Sequence, residues 1–203
     1  MKLTKLLIAI LISTNCYSQN PLSLWDKVWD DRSFNEYNTA KNANYMSQRE
    51  KDVIWVINCM RSCPSLFLQT VAIKWDYPRR YSTYKNMKDY KILIDFLTKL
   101  KPMSVVLPDS SLFKSAMTRA EEYPSHKGHY RITQKGKDND CNCSEVISYN
   151  SFESVDIVMD LLIDIGNPDY GHREILTNIF YSKAGVAIRK SDPGFYISII
   201  NFR

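Results

Sequence analysis

The sequence predicts an α+β protein, with helices on both sides of a small antiparallel sheet. Three observations point there. Several segments carry apolar residues at helical spacing, beginning at Val53, Ile54, Val56 and Ile57. Two β-rich stretches, Ala184–Arg189 and Phe195–Phe202, are joined by the turn sequence Ser191-Asp192-Pro193-Gly194 and close the chain as a hairpin. No internal repeat or low-complexity block interrupts them. Apolar residues make up 44% and charged residues 24% of 203 positions, which excludes a disordered tail, a collagenous repeat and a multi-span membrane protein. The layering follows from the need of each apolar face to be covered.

Residues 1–18 read as a signal peptide: Lys2 and Lys5 lead, Leu6–Ile12 is a short apolar run, and cleavage is expected after Ser18. A lipoprotein acylated at Cys16 is the alternative, although Ser13-Thr14-Asn15 fits poorly. The expected location is therefore secreted, periplasmic or cell-envelope, with no transmembrane segment in the mature chain. Cleavage removes Lys2 and Lys5 and takes the net charge from +5 to +3, too small to argue for nucleic acid. Residues 19–45 form an N-terminal arm, with an amphipathic turn or two around Leu24, Trp25, Val28 and Trp29.

The main domain, 46–203, starts at a capping box, Ser47 with Glu50. Pro64 ends that helix and opens a second through Trp75. A third runs from about Met87 to Leu100, with Ile92, Ile94, Phe96, Leu97 and Leu100 apolar, and stops before Pro102. Asp109 or Ser110 caps a fourth through Glu122, with Leu112, Phe113, Ala116 and Ala120 inward. Residues 123–144 are polar and turn-rich, with strand pieces at Tyr130–Thr133 and Val146–Tyr149. Asn150 to Glu153 is a second capping-box candidate opening a helix through Ile163. Gly166-Asn167-Pro168 stops it, and Arg173–Phe180 forms a short helix after Gly171-His172.

Loss of Cys16 would leave Cys59, Cys63, Cys141 and Cys143, an even count that in an exported chain favours disulfides. Cys59 and Cys63 share a helix face. Cys141 and Cys143 point the same way from an extended segment. Two bridges joining those segments are expected; a four-Cys zinc site is the competitor, but its spacing fits no common zinc knuckle.

Imidazole chemistry rests on His126, His129 and His172. His129 follows Gly128 in the polar loop. His172 follows Gly171 at a helix start, where the dipole favours a neutral ring. Asp164 ends an apolar helix face; an acid there opposes the dipole, so it is either solvated or held by a partner such as a histidine. Glu145, Asp160 and Glu174 are the other nearby acids. Two histidines with two acids suit a metal or acid/base cluster. Gly-rich phosphate loops, Gly-x-Ser-x-Gly and His-Glu-x-x-His are absent from the sequence. The tyrosines and tryptophans of residues 75–90 read as packing, or as a groove for glycan or lipid.

Six segments in order resemble a known family. Asp52-Val53…Asn58…Arg61…Pro64…Phe67, Leu112…Ala116…Ala120, Gly128-His129, Ser144-Glu145-Val146-Ile147, Gly171-His172-Arg173…Leu176 and Ala184-Gly185-Val186-Ala187 are similar to the motifs of bacterial CAP domains, the superfamily of cysteine-rich secretory, antigen 5 and pathogenesis-related proteins, also called SCP domains. The resemblance implies a three-layer α-β-α sandwich whose cleft is lined by His129, Glu145, Asp164 and His172. His129 and His172 would hold Zn²⁺ or another divalent cation, and His126 could replace His129. Val146 and Ser144 depart from the family's Gly-Glu-Asn. The implied role is a binding module for a small polar ligand, a lipid, or an extracellular protein or glycan. A metal-dependent hydrolase, with Glu145 as general base beside a Zn²⁺-activated water, is the alternative.

Overall fold

The structure, a computed structural model, describes residues 19–75, 87–122, 141–190 and 195–203. The signal peptide expected at residues 1–18 with Cys16, the segment carrying His126 and His129, the strand expected at 130–133 and the turn expected at 191–194 lie outside the described residues. No helix among the described residues is long and apolar enough to cross a membrane.

The described elements form an α+β fold. Six helices are α1 (Gln48–Ser62), α2 (Pro64–Phe67), α3 (Lys88–Lys99), α4 (Ser110–Glu122), α5 (Ser154–Ile163) and α6 (Gly171–Leu176). Four strands are β1 (Leu107–Pro108), β2 (Ser144–Tyr149), β3 (Lys183–Lys190) and β4 (Tyr196–Phe202), in the order β1-β3-β4-β2. The sheet is mixed, not purely antiparallel as expected: β2 and β3 run antiparallel to β4, but the two-residue β1 pairs parallel with β3. The parallel rung arises because α4 lies between β1 and the rest of the sheet in sequence, so β1 arrives by a crossover rather than a hairpin.

Register assigns the two faces of the sheet. Val146, Ile200 and Val186 sit side by side across three strands, and the next row is Ile147, Ile199 and Ala187. Successive rows face opposite ways. The first row joins the main core with α1 and α5 residues such as Val53, Ile57, Val158 and Leu162. The second packs on Ala116 and Ala120 of α4.

Local chemistry explains each boundary. Ser47 and Glu50 form the expected capping box, and Glu50 is buried because its other carboxylate oxygen accepts from the Ile188 backbone and lies beside Arg189. The start of α1 is thereby tied to β3. The stretch after Pro64 is α-helical only to Phe67, then widens into a π-turn over Leu68–Ala72. There the Thr70 hydroxyl donates to the Leu66 carbonyl and accepts from the Trp29 indole. In α3 Tyr90, Leu93 and Leu97 are buried, and of the apolar residues expected Ile94, Phe96 and Leu100 pack partly buried against the core. Asn150–Glu153 forms no capping box: Asn150 is left-handed (φ 67°), its N–H is taken by Tyr196 of β4, and Glu153 precedes α5 without a side-chain cap bond. The final short helix is Gly171–Leu176, ending earlier than expected.

The arm consists of three short 3-10 turns (Pro21–Leu24, Lys27–Asp30 and Arg32–Tyr37). Leu22 and Trp29 are buried, whereas Leu24 and Val28 face out. Asn58 of α1 staples it down. Its side-chain amide donates toward Tyr37, Thr39 and Val106, and its oxygen accepts from the Val106 backbone.

Asp109 anchors α4. One carboxylate oxygen accepts from the backbone N–H groups of Ser111 and Leu112 and from the Ser111 hydroxyl. Lys183 and Arg203 lie beside the other oxygen. The Ser111 hydroxyl bond leads, the backbone donors and Lys183 add to it, and together they outweigh burial and hold this carboxyl down at about 2. A depressed carboxylate contributes stability that is present above its unfolded value of 3.8 and is lost as pH falls through about 2. Asp109→Asn should therefore destabilise the protein by about 2 kcal/mol at neutral pH. In urea titrations the gap between variant and wild type should close between about pH 4 and pH 2. A gap that stays constant across that window would contradict the assignment.

Candidate functional site

The structure places two of the expected cleft residues in one constellation. Helix α5 ends at Ile163, and Asp164 follows it in the left-handed region with φ 57°. Its backbone N–H still closes the last helical turn on the Asp160 carbonyl. The chain then runs through Asn167, whose N–H returns to the Asp164 carbonyl, to Tyr170, also left-handed at φ 49°. Helix α6 begins immediately afterwards with Gly171 and His172.

Two non-glycine residues with positive φ in one loop cost about 1–3 kcal/mol each, and persist only where surroundings hold them. The holders are visible. Asp164 Oδ2 accepts from the His172 backbone N–H at 2.9 Å and from the Asn167 side chain at 3.2 Å. Tyr170 donates its hydroxyl to Asp89 of α3 at 2.8 Å, which raises the phenol's pKa, because the bond needs the proton. The Arg173 guanidinium stacks 4.3 Å from the Tyr170 ring centre and 5.5 Å from that of Phe96. Arg173 also donates to the carbonyls of Leu162 and Ile163, capping the C-terminus of α5.

The constellation's centre is a carboxylate–imidazole pair. His172 Nδ1 lies 2.8 Å from Asp164 Oδ1. The carboxylate only accepts, so Nδ1 carries the hydrogen and, in the neutral ring, Nε2 keeps its lone pair. The two side chains differ sharply in access: Asp164 is 3% exposed and His172 is 35% exposed. A buried acid thus orients an imidazole that solvent and solutes can reach.

Glu145 is placed differently. It lies in β2 opposite Asn201, and its carboxylate forms an ion pair with Arg119 of α4 at 3.6 Å. It alternates with Val146 and Ser148, of which Ser148 donates to Asp160 on α5. Glu145 therefore lies on the α4 side of the sheet. Among the described residues no group of three His, Cys, Asp or Glu is arranged to hold a metal ion. His129 and His126 lie outside the described residues.

The cysteines overturn the expected pairing. Cys141 and Cys143 are bonded to each other, and Cys59 and Cys63 are free thiols. The reason is the arm. Cys59 is buried beneath Asn20, and Cys63 meets the Tyr37 hydroxyl, so the arm occupies the α1 face that carries both. Burial pushes the Cys59 thiol well up, and the bond to Cys63 does the same to the Tyr37 phenol.

Asp89, Asn167 and Tyr170 complete the constellation without having been singled out in the sequence. Asn167 stood in the Gly-Asn-Pro stop signal, and nothing in the pattern linked Asp89 to a residue eighty-one positions later. No protein-family model matches the chain, and no curated protein does either.

Proposed function

We propose that this chain is an exported, CAP-domain-like binding module that uses His172 to engage a divalent cation or a polar ligand. The observation that carries this reading is the Asp164–His172 pair, 2.8 Å between Oδ1 and Nδ1. Histidines that ligate metals commonly donate their other ring N–H to a carboxylate, which fixes the tautomer and makes the free nitrogen more basic. The described residues supply one such imidazole. A cation site needs about three protein ligands, and in this reading His129 supplies the second. Zn²⁺ is the first ion to test, because imidazole suits it. The export reading rests on residues 1–18 and agrees with a disulfide in the chain.

Isothermal titration of the protein with Zn²⁺ is expected to show one binding event, lost in His172→Ala and in His129→Ala. Asp164→Asn keeps the volume and tolerates the left-handed backbone. It removes the negative charge and sets an NH₂ group against one of the N–H donors. Its affinity should fall about 10–100-fold. Absence of binding heat in the wild type, or wild-type affinity in His172→Ala, would overturn the metal form of the proposal.

A further inference from the structure

We infer that the Cys141–Cys143 disulfide is a thiol–disulfide exchange site that oxidises external dithiols, rather than a staple of the fold. This does not rest on the cleft reading above. A disulfide contributes to stability chiefly by restricting the unfolded chain, and that contribution grows with the length of the loop it closes. Here the bridged residues are separated by two positions in sequence, so the bridge ties no element to another. What it does constrain is Asn142, held at φ 37° between the two sulfurs. Opening the ring frees that residue to return to ordinary backbone space. Both cysteines are partly exposed and Asn142 between them is exposed, which gives an attacking thiolate access.

The bridge also sits where it can open without disturbing the sheet. The β2–β4 ladder begins at Ser144, paired with Phe202. Ser144 is further fixed by a side-chain hydrogen bond to the Tyr181 hydroxyl. Cys143 therefore borders a fixed residue, and Cys141 lies two residues farther from the ladder. The other two described cysteines contact the arm instead, Cys59 at Asn20 and Cys63 at Tyr37.

One thiolate of the dithiol attacks Cys141 Sγ; an external S–S bond forms, the Cys141–Cys143 bond breaks, and Cys143 leaves as a thiolate that takes up a proton. The second thiolate of the dithiol then attacks its own sulfur in the mixed disulfide and expels Cys141, which is protonated in turn. The dithiol loses two electrons and two protons and becomes a disulfide. Cys141 and Cys143 gain them as two thiols.

Dithiothreitol and the full chain serve as the test. Alkylation without reductant, after denaturation, should label Cys59, Cys63 and any retained Cys16 and spare Cys141 and Cys143, by peptide mass mapping. Labelling of the latter pair would overturn the inference. Addition of dithiothreitol to the native protein should open the bridge at a rate within about a hundredfold of that in denaturant, as expected for an exposed disulfide, releasing one oxidised dithiothreitol per chain. Slower reduction overturns it. The reduced protein and the Cys141→Ser/Cys143→Ser variant should both melt within about 5 °C of the oxidised wild type. A larger drop would assign the bridge to the fold instead.

Discussion

Gly185→Ala should collapse the packing of α4 on the sheet. A Cβ built at Gly185 falls 2.1 Å from the backbone nitrogen of Phe113, 2.3 Å from the carbonyl carbon of Leu112 and 2.7 Å from the Phe113 Cα. These are main-chain atoms in the first turn of a helix, so no side-chain rotation relieves the contact. The helix cannot retreat as a body either. The Asp109 N–H is bonded to the Ala184 carbonyl, Asp109 caps the helix, and the Asn201 amide reaches the Leu112 carbonyl at 3.5 Å. Overpacking relieved by side chains typically costs about 1–3 kcal/mol. A backbone clash belongs in the exceptional range, about 4 kcal/mol or more, a fall of about 10 °C or more in melting temperature for a chain of this size. Gly166→Ala supplies the contrast. Its φ is +79°, but nothing lies within 4 Å of the added atom, so only the left-handed penalty of about 1–2 kcal/mol applies. Thermal melts of the two variants decide the point, and near-equal midpoints would show that α4 yields at the Gly185 contact.

The same helix shows what a sequence reveals and what it hides. Leu112, Ala116 and Ala120 recur at helical spacing, and their burial follows from that period. Gly185 stands out only through its place in a family-like strand, because the reason for it, the backbone of α4 at 2.1 Å, is a contact across more than seventy positions. Capping boxes divide in the same way. Ser47 and Glu50 pair as their spacing requires: the Ser47 N–H donates to the Glu50 carboxylate, and the Ser47 hydroxyl accepts from the Glu50 N–H. Asn150 has similar local chemistry but joins the sheet through Tyr196, and a tertiary hydrogen bond displaces the local one. For the site, the acid at the end of α5 needed a partner on dipole grounds, and it has His172. Its other supports were not legible, because Tyr170 reaches Asp89 on a helix far earlier in the chain. The cysteine pairing failed for a related reason: even spacing shows which sulfurs share a face, but not that an N-terminal arm lies over that face.

Arg61→Met should cost about 3–5 kcal/mol, because four main-chain acceptors lose their donor and each one left unsatisfied away from water costs about 1–3 kcal/mol. Arg61 lies in the last turn of α1 and is fully buried. Its Nε donates to the Ser104 carbonyl at 2.9 Å, Nη1 to those of Leu176 and Asn178 at 2.9 and 3.0 Å, and Nη2 to that of Tyr181 at 3.1 Å. Its own carbonyl accepts from the Met103 N–H. Burial draws the guanidinium down to about 10, which still leaves it charged at neutral pH. One side chain thereby satisfies four main-chain acceptors in two irregular segments, the approach to β1 and the link from α6 to β3. Methionine fills much of the volume and supplies no donor, so these carbonyls, that of Leu176 in a buried bond and the others part-buried, would lose their partner. Lysine, a point charge on a flexible stem, cannot span acceptors arranged around a planar fork, so Arg61→Lys should recover about half of the loss at most. Because the Leu176 carbonyl closes α6, the helix that carries His172, either variant should also loosen the site. Amide hydrogen exchange at residues 171–182 should rise in both, while the α4–sheet contact stays protected. Uniform exchange across the chain would instead mark Arg61 as a general core residue with no particular hold on that segment.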